Sequence, residues 1–317
     1  MGLVAVALAA PAPALAQDGS GGGGDQPAPA KLTLSLGEAS DGKVRVANRV
    51  KVIGRLRPYV PDQRVRVWLQ RARKTVRARW VEVRRVPGRN AGVFRFATPK
   101  LIKQGHYRIY ARKPPTAQQR KAQIRSREFN VTYPDLDPGD RSNLVRLLNK
   151  LLAKQAYYTS RGRKYGGATA RAVLAFRKVN NMKRTMDATP RIFEMLANGR
   201  GGFKLRWPQG GKHIEADLSR QVMVLANKGK PQHIFHISSG KPSTPTITGK
   251  YRAYRKTPGV NSLGMIDSVY FHRGYATHGY KSVPTYPASH GCLRSPAPNA
   301  RFIYNWIDLG DVFYIYP

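Results

Sequence analysis

The stretch YPASHGCLRSP, residues 286–296, holds the single cysteine of a 317-residue chain. Cys292 stands two positions after His290 and two before Arg294, among the small residues Ala288, Ser289 and Gly291. A structurally inert cysteine keeps apolar company, and this one does not, so Cys292 reads as a free reactive thiol. A thiol attacks as its thiolate. It therefore needs a nearby base and donors for the charge that develops on an attacked carbonyl. His278, in YATHGY, and His290 are the candidate bases. In an extended segment residues two apart share a face, which would align His290 with Cys292. The amides around Gly291 can receive an oxyanion, and Ser289 and Gly291 are small enough for a substrate backbone to approach. Arg294 offers a permanently charged planar fork for a carboxylate. A zinc site built from His272, His278, His290 and Cys292 is permitted by spacing, but no carboxylate or paired-cysteine pattern supports it. His233, His236 and His272 read as ordinary strand residues.

Composition narrows the setting. The 56 Lys and Arg outnumber the 17 Asp and Glu, for a formal net charge of +39. Such an excess calls for polyanionic surroundings: nucleic acid, anionic membrane or an acidic wall polymer. No nucleic-acid reading motif accompanies it. The opening MGLVAVALAAPAPALAQ resembles a secretory signal, with an apolar run ending in Ala14-Leu15-Ala16 and no basic residue before it. The run is broken by Pro11 and Pro13 and is too short to span a bilayer. Residues 1–16 are therefore expected to be a signal and 17–30 a Gly/Pro-rich tether, which makes the protein exported. A lone cysteine in an oxidising compartment has no internal disulfide partner, which strengthens the reactive reading.

Residues 31–133 alternate apolar and polar positions in short runs such as RVKVIGRLR, RVRVWLQRA and GVFRFA, punctuated by Pro, Gly and Asp. This is the pattern of an Ig-like antiparallel β-sandwich of about seven strands. It carries 27 Lys and Arg against 5 Asp and Glu, a net +22, so much of the charge is expected on its outward faces, available to anionic cell-wall polymers. After YPDLDPGD the period becomes helical. Leu144, Leu147, Leu148 and Leu151 mark one helix and ATARAVLAFRKVN a second. A third is expected from a Thr189 cap and Pro190 to Asn198-Gly199, giving a small three-helix bundle over 138–200. GRGGFKLRWPQGG reads as a linker, taken as residues 201–212. From His213 to Pro317 the chain is β-rich, with a hairpin turn at Asn227-Lys228-Gly229 and one helix in NARFIYNWIDLG. The fold class is mixed and mainly β.

Two resemblances follow from these residues. AYYTSRGRKYGGATARAVLAFRKVNNM resembles a peptidoglycan-binding domain, although Arg177 stands where that family often has Gln. ASHGCLR resembles the Ser-His-Gly-Cys signature of L,D-transpeptidases, the YkuD type. IEADLSRQVMVLANKGKP is similar to that family's opening hairpin. SSGKPSTPTITGKYRAYRK is similar to its strand with repeated Thr-Pro, and GYATHG to its upstream His-Gly. The eleven residues between His278 and His290 are a shorter spacing than in some members. The resemblance implies Cys292 as nucleophile and His278 as base, oriented by the Gly279 carbonyl. It implies His290 and the local amides at the oxyanion, with Ser289, Gly291, Arg294 and Tyr254 on the substrate side. It implies peptidoglycan stem peptides as substrate, a 3→3 cross-link through a Cys acyl-enzyme, and no metal or organic cofactor. An L,D-carboxypeptidase using water as acceptor, and a non-catalytic wall-binding protein, are the alternatives.

Overall fold

The computed structural model describes residues 26–39 and 41–317. The expected signal and most of the tether lie outside the described residues. Ten strands come first: β1 (Lys31–Gly37), β2 (Lys43–Arg45), β3 (Lys51–Arg57), β4 (Arg64–Arg71), β5 (Lys74–Glu82), β6 (Arg84–Arg85), β7 (Gly92–Ala97), β8 (Gly105–Lys113), β9 (Ala122–Arg125) and β10 (Phe129–Thr132). They form two sheets, β1-β3-β7-β6 and β2-β10-β8-β4-β5, with β9 added to β8. The seven strands expected from alternation become ten because β2, β6 and β9 are too short to show a period. Alternation works as expected in β3, where Val52, Gly54 and Leu56 are buried while Lys51, Ile53, Arg55 and Arg57 face out. The inner faces of both sheets share one core, with Val52, Leu56 and Phe94 from one and Val65, Val67 and Ile109 from the other. Gly54 is fixed by packing: a Cβ there would sit 1.9 Å from the Phe94 ring.

Three helices follow: α1 (Asn143–Lys154), α2 (Gly167–Val179) and α3 (Pro190–Ala197). Ser142 caps α1 by accepting from the Val145 amide. Thr189 precedes α3 but its side chain makes no capping bond; Pro190 at the first turn begins that helix instead. Arg177 has a structural task. Its guanidinium, almost fully buried, pairs with Asp187 at 2.6 Å and also donates to the carbonyls of Asp187 and Lys183. It thereby closes the loop between α2 and α3.

The remaining strands are β11 (His213–Asp217), β12 (Val222–Asn227), β13 (Lys230–His236), β14 (Gly249–Arg252), β15 (Arg255–Val260), β16 (Ile266–His272), β17 (Tyr275–Tyr280), β18 (Leu293–Pro296) and β19 (Val312–Tyr316), with α4 (Ala297–Trp306) before the last. They form a five-stranded sheet, β13-β12-β11-β19-β14, and a four-stranded sheet, β15-β16-β17-β18. The Asn227-Lys228-Gly229 turn joins β12 to β13, with positive φ at Lys228 and Gly229. β12 reads Val-Met-Val-Leu-Ala without polar interruption because both its faces are covered. Val222, Val224 and Ala226 join the core shared with the helices, while Met223 and Leu225 join the core between the two sheets. The repeated Thr-Pro segment differs from expectation: residues 241–248 form a loop, and the strands start only at Gly249.

The expected linker is a packed strap. Phe203 and Leu205 are buried, and Trp207 stacks on Tyr314 with centroids 4.4 Å apart. The amides of Arg206 and Trp207 both donate to the carboxylate of buried Glu215. Apolar side chains spaced between the glycines, together with a buried carboxylate that needs donors, outweigh the flexibility that the glycines suggest.

Because Arg177 is buried and satisfies three acceptors, Arg177→Ala is expected to destabilise the protein by about 2–4 kcal/mol. Denaturant unfolding of the two proteins measures this, and a change within about 0.5 kcal/mol would remove the staple role.

Candidate active site

Cys292 lies just ahead of β18, which pairs in parallel with β17 so that His278 is opposite Arg294 and Thr277 opposite Leu293. Paired residues of neighbouring strands share a face, so His278 and Arg294 project together. Gly279 faces the other way, toward α4. A Cβ there would meet Ala300 at 2.5 Å, so this contact requires glycine.

The His278 ring is buried, and its Nδ1 lies 2.9 Å from the Gly279 carbonyl. That carbonyl can only accept, so Nδ1 carries the proton and Nε2 is left with its lone pair. Burial lowers the His278 pKa below its ordinary 6.5, and the nearby Arg294 charge acts in the same direction, against the Gly279 bond. The imidazole is therefore neutral at pH 7 and ready to accept a proton. Cys292 is half-buried, its sulfur 3.7 Å from the Gly274 carbonyl and packed on Met265, Tyr270 and Ala276. Burial raises its pKa above the ordinary 9.0, opposed by a backbone hydrogen bond from Ala276 and by the Arg294 charge. The resting pair is thus thiol and neutral imidazole.

Arg294 acts electrostatically on both groups. Its guanidinium lies 4.3 Å from the Tyr280 ring centroid and donates to the Ala288 carbonyl. Among the described residues no carboxylate pairs with it, so its charge remains available to an acidic ligand.

The loop ahead of Cys292 is tied down from within and without. Ser289 is almost fully buried; its Oγ accepts from the Gly291 amide at 3.1 Å and donates to the Cys292 carbonyl at 2.6 Å. Gly291 has φ +113 and a Cβ there would lie 2.6 Å from Tyr275, so both conformation and contact demand glycine. From outside, Thr246 donates to the Gly291 carbonyl, Thr244 and the Lys241 amide to the Ser289 carbonyl. Ser238 pairs with Arg294 through both backbone groups.

Three expectations change here. Ser289 holds the loop and is too buried to line a substrate site. The Gly291 amide is engaged by Ser289, which leaves those of His290 and Cys292 as the local donors. The strand argument for His290 fails, because residues 290–292 form a bend and the His290 side chain is exposed. Tyr254 is also exposed; its hydroxyl donates to the Arg273 carbonyl, bracing the turn whose Gly274 carbonyl faces the sulfur. The gripping residues Thr244 and Thr246 were not read as site residues. Their signal was available only in the Thr-Pro repeat. Among the described residues no cluster of three potential metal ligands occurs. His272 packs on Tyr251, and His233 on Phe302.

Residues 211–315 match the family model of the YkuD L,D-transpeptidase catalytic domain. That span agrees within two residues with the β-rich segment read from the sequence. An L,D-transpeptidase from Xylanimonas cellulosilytica is 29% identical over 57% of this chain and 97% of its own, with a TM-score of 0.54. The share of this chain exceeds the YkuD span, so the likeness extends beyond it. An L,D-transpeptidase from Stackebrandtia nassauensis matches at 18% identity over 57% of this chain and 95% of its own, with a TM-score of 0.37. One from Mycobacterium smegmatis matches at 15% identity over 91% of this chain and 100% of its own, with a TM-score of 0.30. These two superpose too loosely to bear on the fold. No curated protein matches.

The electrostatics predict how the thiol in the YkuD segment reacts. Alkylation of Cys292 by iodoacetamide should rise with pH to a midpoint above 9.0. Arg294→Gln should move that midpoint higher, since it removes a charge that favours the thiolate. Intact mass against pH reads both, and a midpoint well below 9.0 would mean that the thiolate is already stabilised at rest.

Proposed function

We propose that this chain is an exported L,D-transpeptidase that forms 3→3 cross-links between peptidoglycan stem peptides through an acyl-enzyme on Cys292. The observation that carries the reading is the His278 ring fixed by the Gly279 carbonyl, on the strand position paired with Arg294, two residues beyond the half-buried Cys292. The match to the YkuD family supports the reaction class.

In this reading Nε2 of His278 takes the Cys292 proton as the sulfur attacks the carbonyl of the third stem residue. The His290 and Cys292 amides receive the oxyanion. The bond to the terminal D-alanine breaks, and its amine leaves with the proton held by His278. An amine of a second stem then gives a proton to His278 and attacks the thioester carbonyl, and the sulfur leaves and takes that proton back from His278. Arg294 holds a stem carboxylate. Export rests on the signal-like N-terminus. No helix among the described residues is long and apolar enough to cross a membrane.

Incubation with a disaccharide-tetrapeptide, followed by intact and product mass, tests the proposal. The expected result is an acyl adduct on Cys292 and a 3→3 dimer; tripeptide alone would mean that water is the acceptor. Cys292→Ala should abolish turnover, and His278→Ala should lower acylation by about 10²–10⁴-fold. Near-native turnover by Cys292→Ala would remove the mechanism. A carbapenem should add to Cys292 and nowhere else.

The pH profile follows from the same geometry. Protonating His278 removes the base, so the rate should fall with acid through a midpoint below 6.5. Arg294→Gln should raise that midpoint, because a cation that disfavours the imidazolium is lost.

A further inference from the structure

The outer face of the sheet β1-β3-β7-β6 carries a groove of about 480 Å³, lined only by residues of the sandwich. Its walls are arginine. Arg55 and Arg57 stand on β3, Arg95 on β7, and Arg84, Arg85 and Arg89 on β6 and the turn that follows it. All six are exposed. The register explains the shape. Val93, on the floor, pairs with Arg55 on one side and with Arg84 on the other. Neighbouring strands lie about 4.8 Å apart, so these two arginines flank the valine over roughly 10 Å, room for one extended polymer chain. Along β3 the charges recur every second residue, roughly 7 Å apart.

Such crowding is unfavourable by itself. Arg57 stands directly opposite Lys31 of β1, a like-charge pair that weakens a sheet. Among the described residues, the one carboxylate paired with any of the six is Glu82, 4.0 Å from Arg84 in an exposed contact, and no acid lines the groove. Protection of a free sheet edge accounts for the charges on β6. It does not account for those on β3 and β7, which are central strands. The outer face of the other sheet is built differently. There Trp68 and Tyr110 stack with centroids 5.2 Å apart among the arginines, and Arg108 is paired with Glu128.

We propose that this groove binds a linear polymer of phosphodiesters with a non-aromatic backbone, that is, a polyol phosphate. Every cation lining it is an arginine, whose planar fork donates two parallel hydrogen bonds to an oxyanion. A phosphodiester is tetrahedral and its two free oxygens point in different directions, so arginines on opposite walls can each take one. A planar carboxylate presents both oxygens to a single fork. No aromatic ring lines the groove, which leaves the bases of a nucleic acid nothing to stack on. The diesters lie between the two arginine walls, and Val93 and Ile53 meet the carbon backbone. The binding is independent of Cys292 and of what it acylates.

The test uses the full chain and three probes: poly(glycerol phosphate), poly-L-glutamate of equal charge, and oligothymidylate. Titration at low salt should show saturable binding of poly(glycerol phosphate), about tenfold tighter than either of the others. A variant with Arg55→Gln, Arg57→Gln and Arg95→Gln should bind it about tenfold more weakly, and its log affinity should fall less steeply with log salt. A control with Arg66→Gln, Arg112→Gln and Arg125→Gln removes the same charge from exposed positions of the other sheet and should lose about twofold at most. All six side chains face solvent, so both variants should unfold thermally no earlier than the parent. Equal losses in the two variants would reduce the binding to net charge and overturn the groove. Glutamate or thymidylate polymer bound as tightly as the polyol phosphate would overturn the ligand, and no saturable binding would overturn both.

Discussion

The hydroxyl of Ser289 joins the Gly291 amide to the Cys292 carbonyl inside a turn that the backbone could not hold alone. Gly291 sits at a φ of +113, where a chain gains no regular hydrogen bond, and the bend at 290–292 breaks the strand. Without an internal acceptor the Gly291 amide would be buried and unpaired, at a cost comparable to a lost hydrogen bond. One small hydroxyl meets that need and also fixes the carbonyl of the reactive residue. The direction of the Cys292 side chain, its depth in the Met265, Tyr270 and Ala276 cluster, and the freedom of the neighbouring amides all follow. Thr244, Thr246 and Lys241 then lock the turn to the loop at residues 241–248.

This explains why the motif was readable. Ser289, Gly291, Cys292 and Arg294 fall within six residues, and the turn itself requires Ser289 and Gly291. His278 was also readable, because its partner is the carbonyl of the next residue. What lay beyond the sequence was anything held by residues distant in the chain. The threonines that grip the loop look like ordinary strand residues, and only the parallel β17–β18 pairing brings His278 to Arg294. His290 was aligned with Cys292 by a strand rule that the bend at Gly291 cancels.

The fold divides along the same line. Alternation revealed the sandwich because each of its sheets has one wet face. β12 has none: its residues go alternately to the helices and to the second sheet, and so an unbroken apolar run shows no period. The strap at 201–212 reads in the sequence as a linker. Its packing depends on Glu215 and Tyr314, which lie outside the segment.

The amine of Lys178 gives this arrangement a further property. It is buried in the seam between α2 and the five-stranded sheet, where it donates to the carbonyls of Gln221 and Ile237, and burial brings its pKa to about 7. Gln221 in turn holds Ser239, whose carbonyl takes the amides of Ala288 and Ser289. A segment cut at residue 211 would lose the amine, bare the apolar row of Val222, Val224 and Ala226, and leave two buried acceptors to water. The packing unit around β12 therefore includes α2, beyond the residues that match the YkuD model.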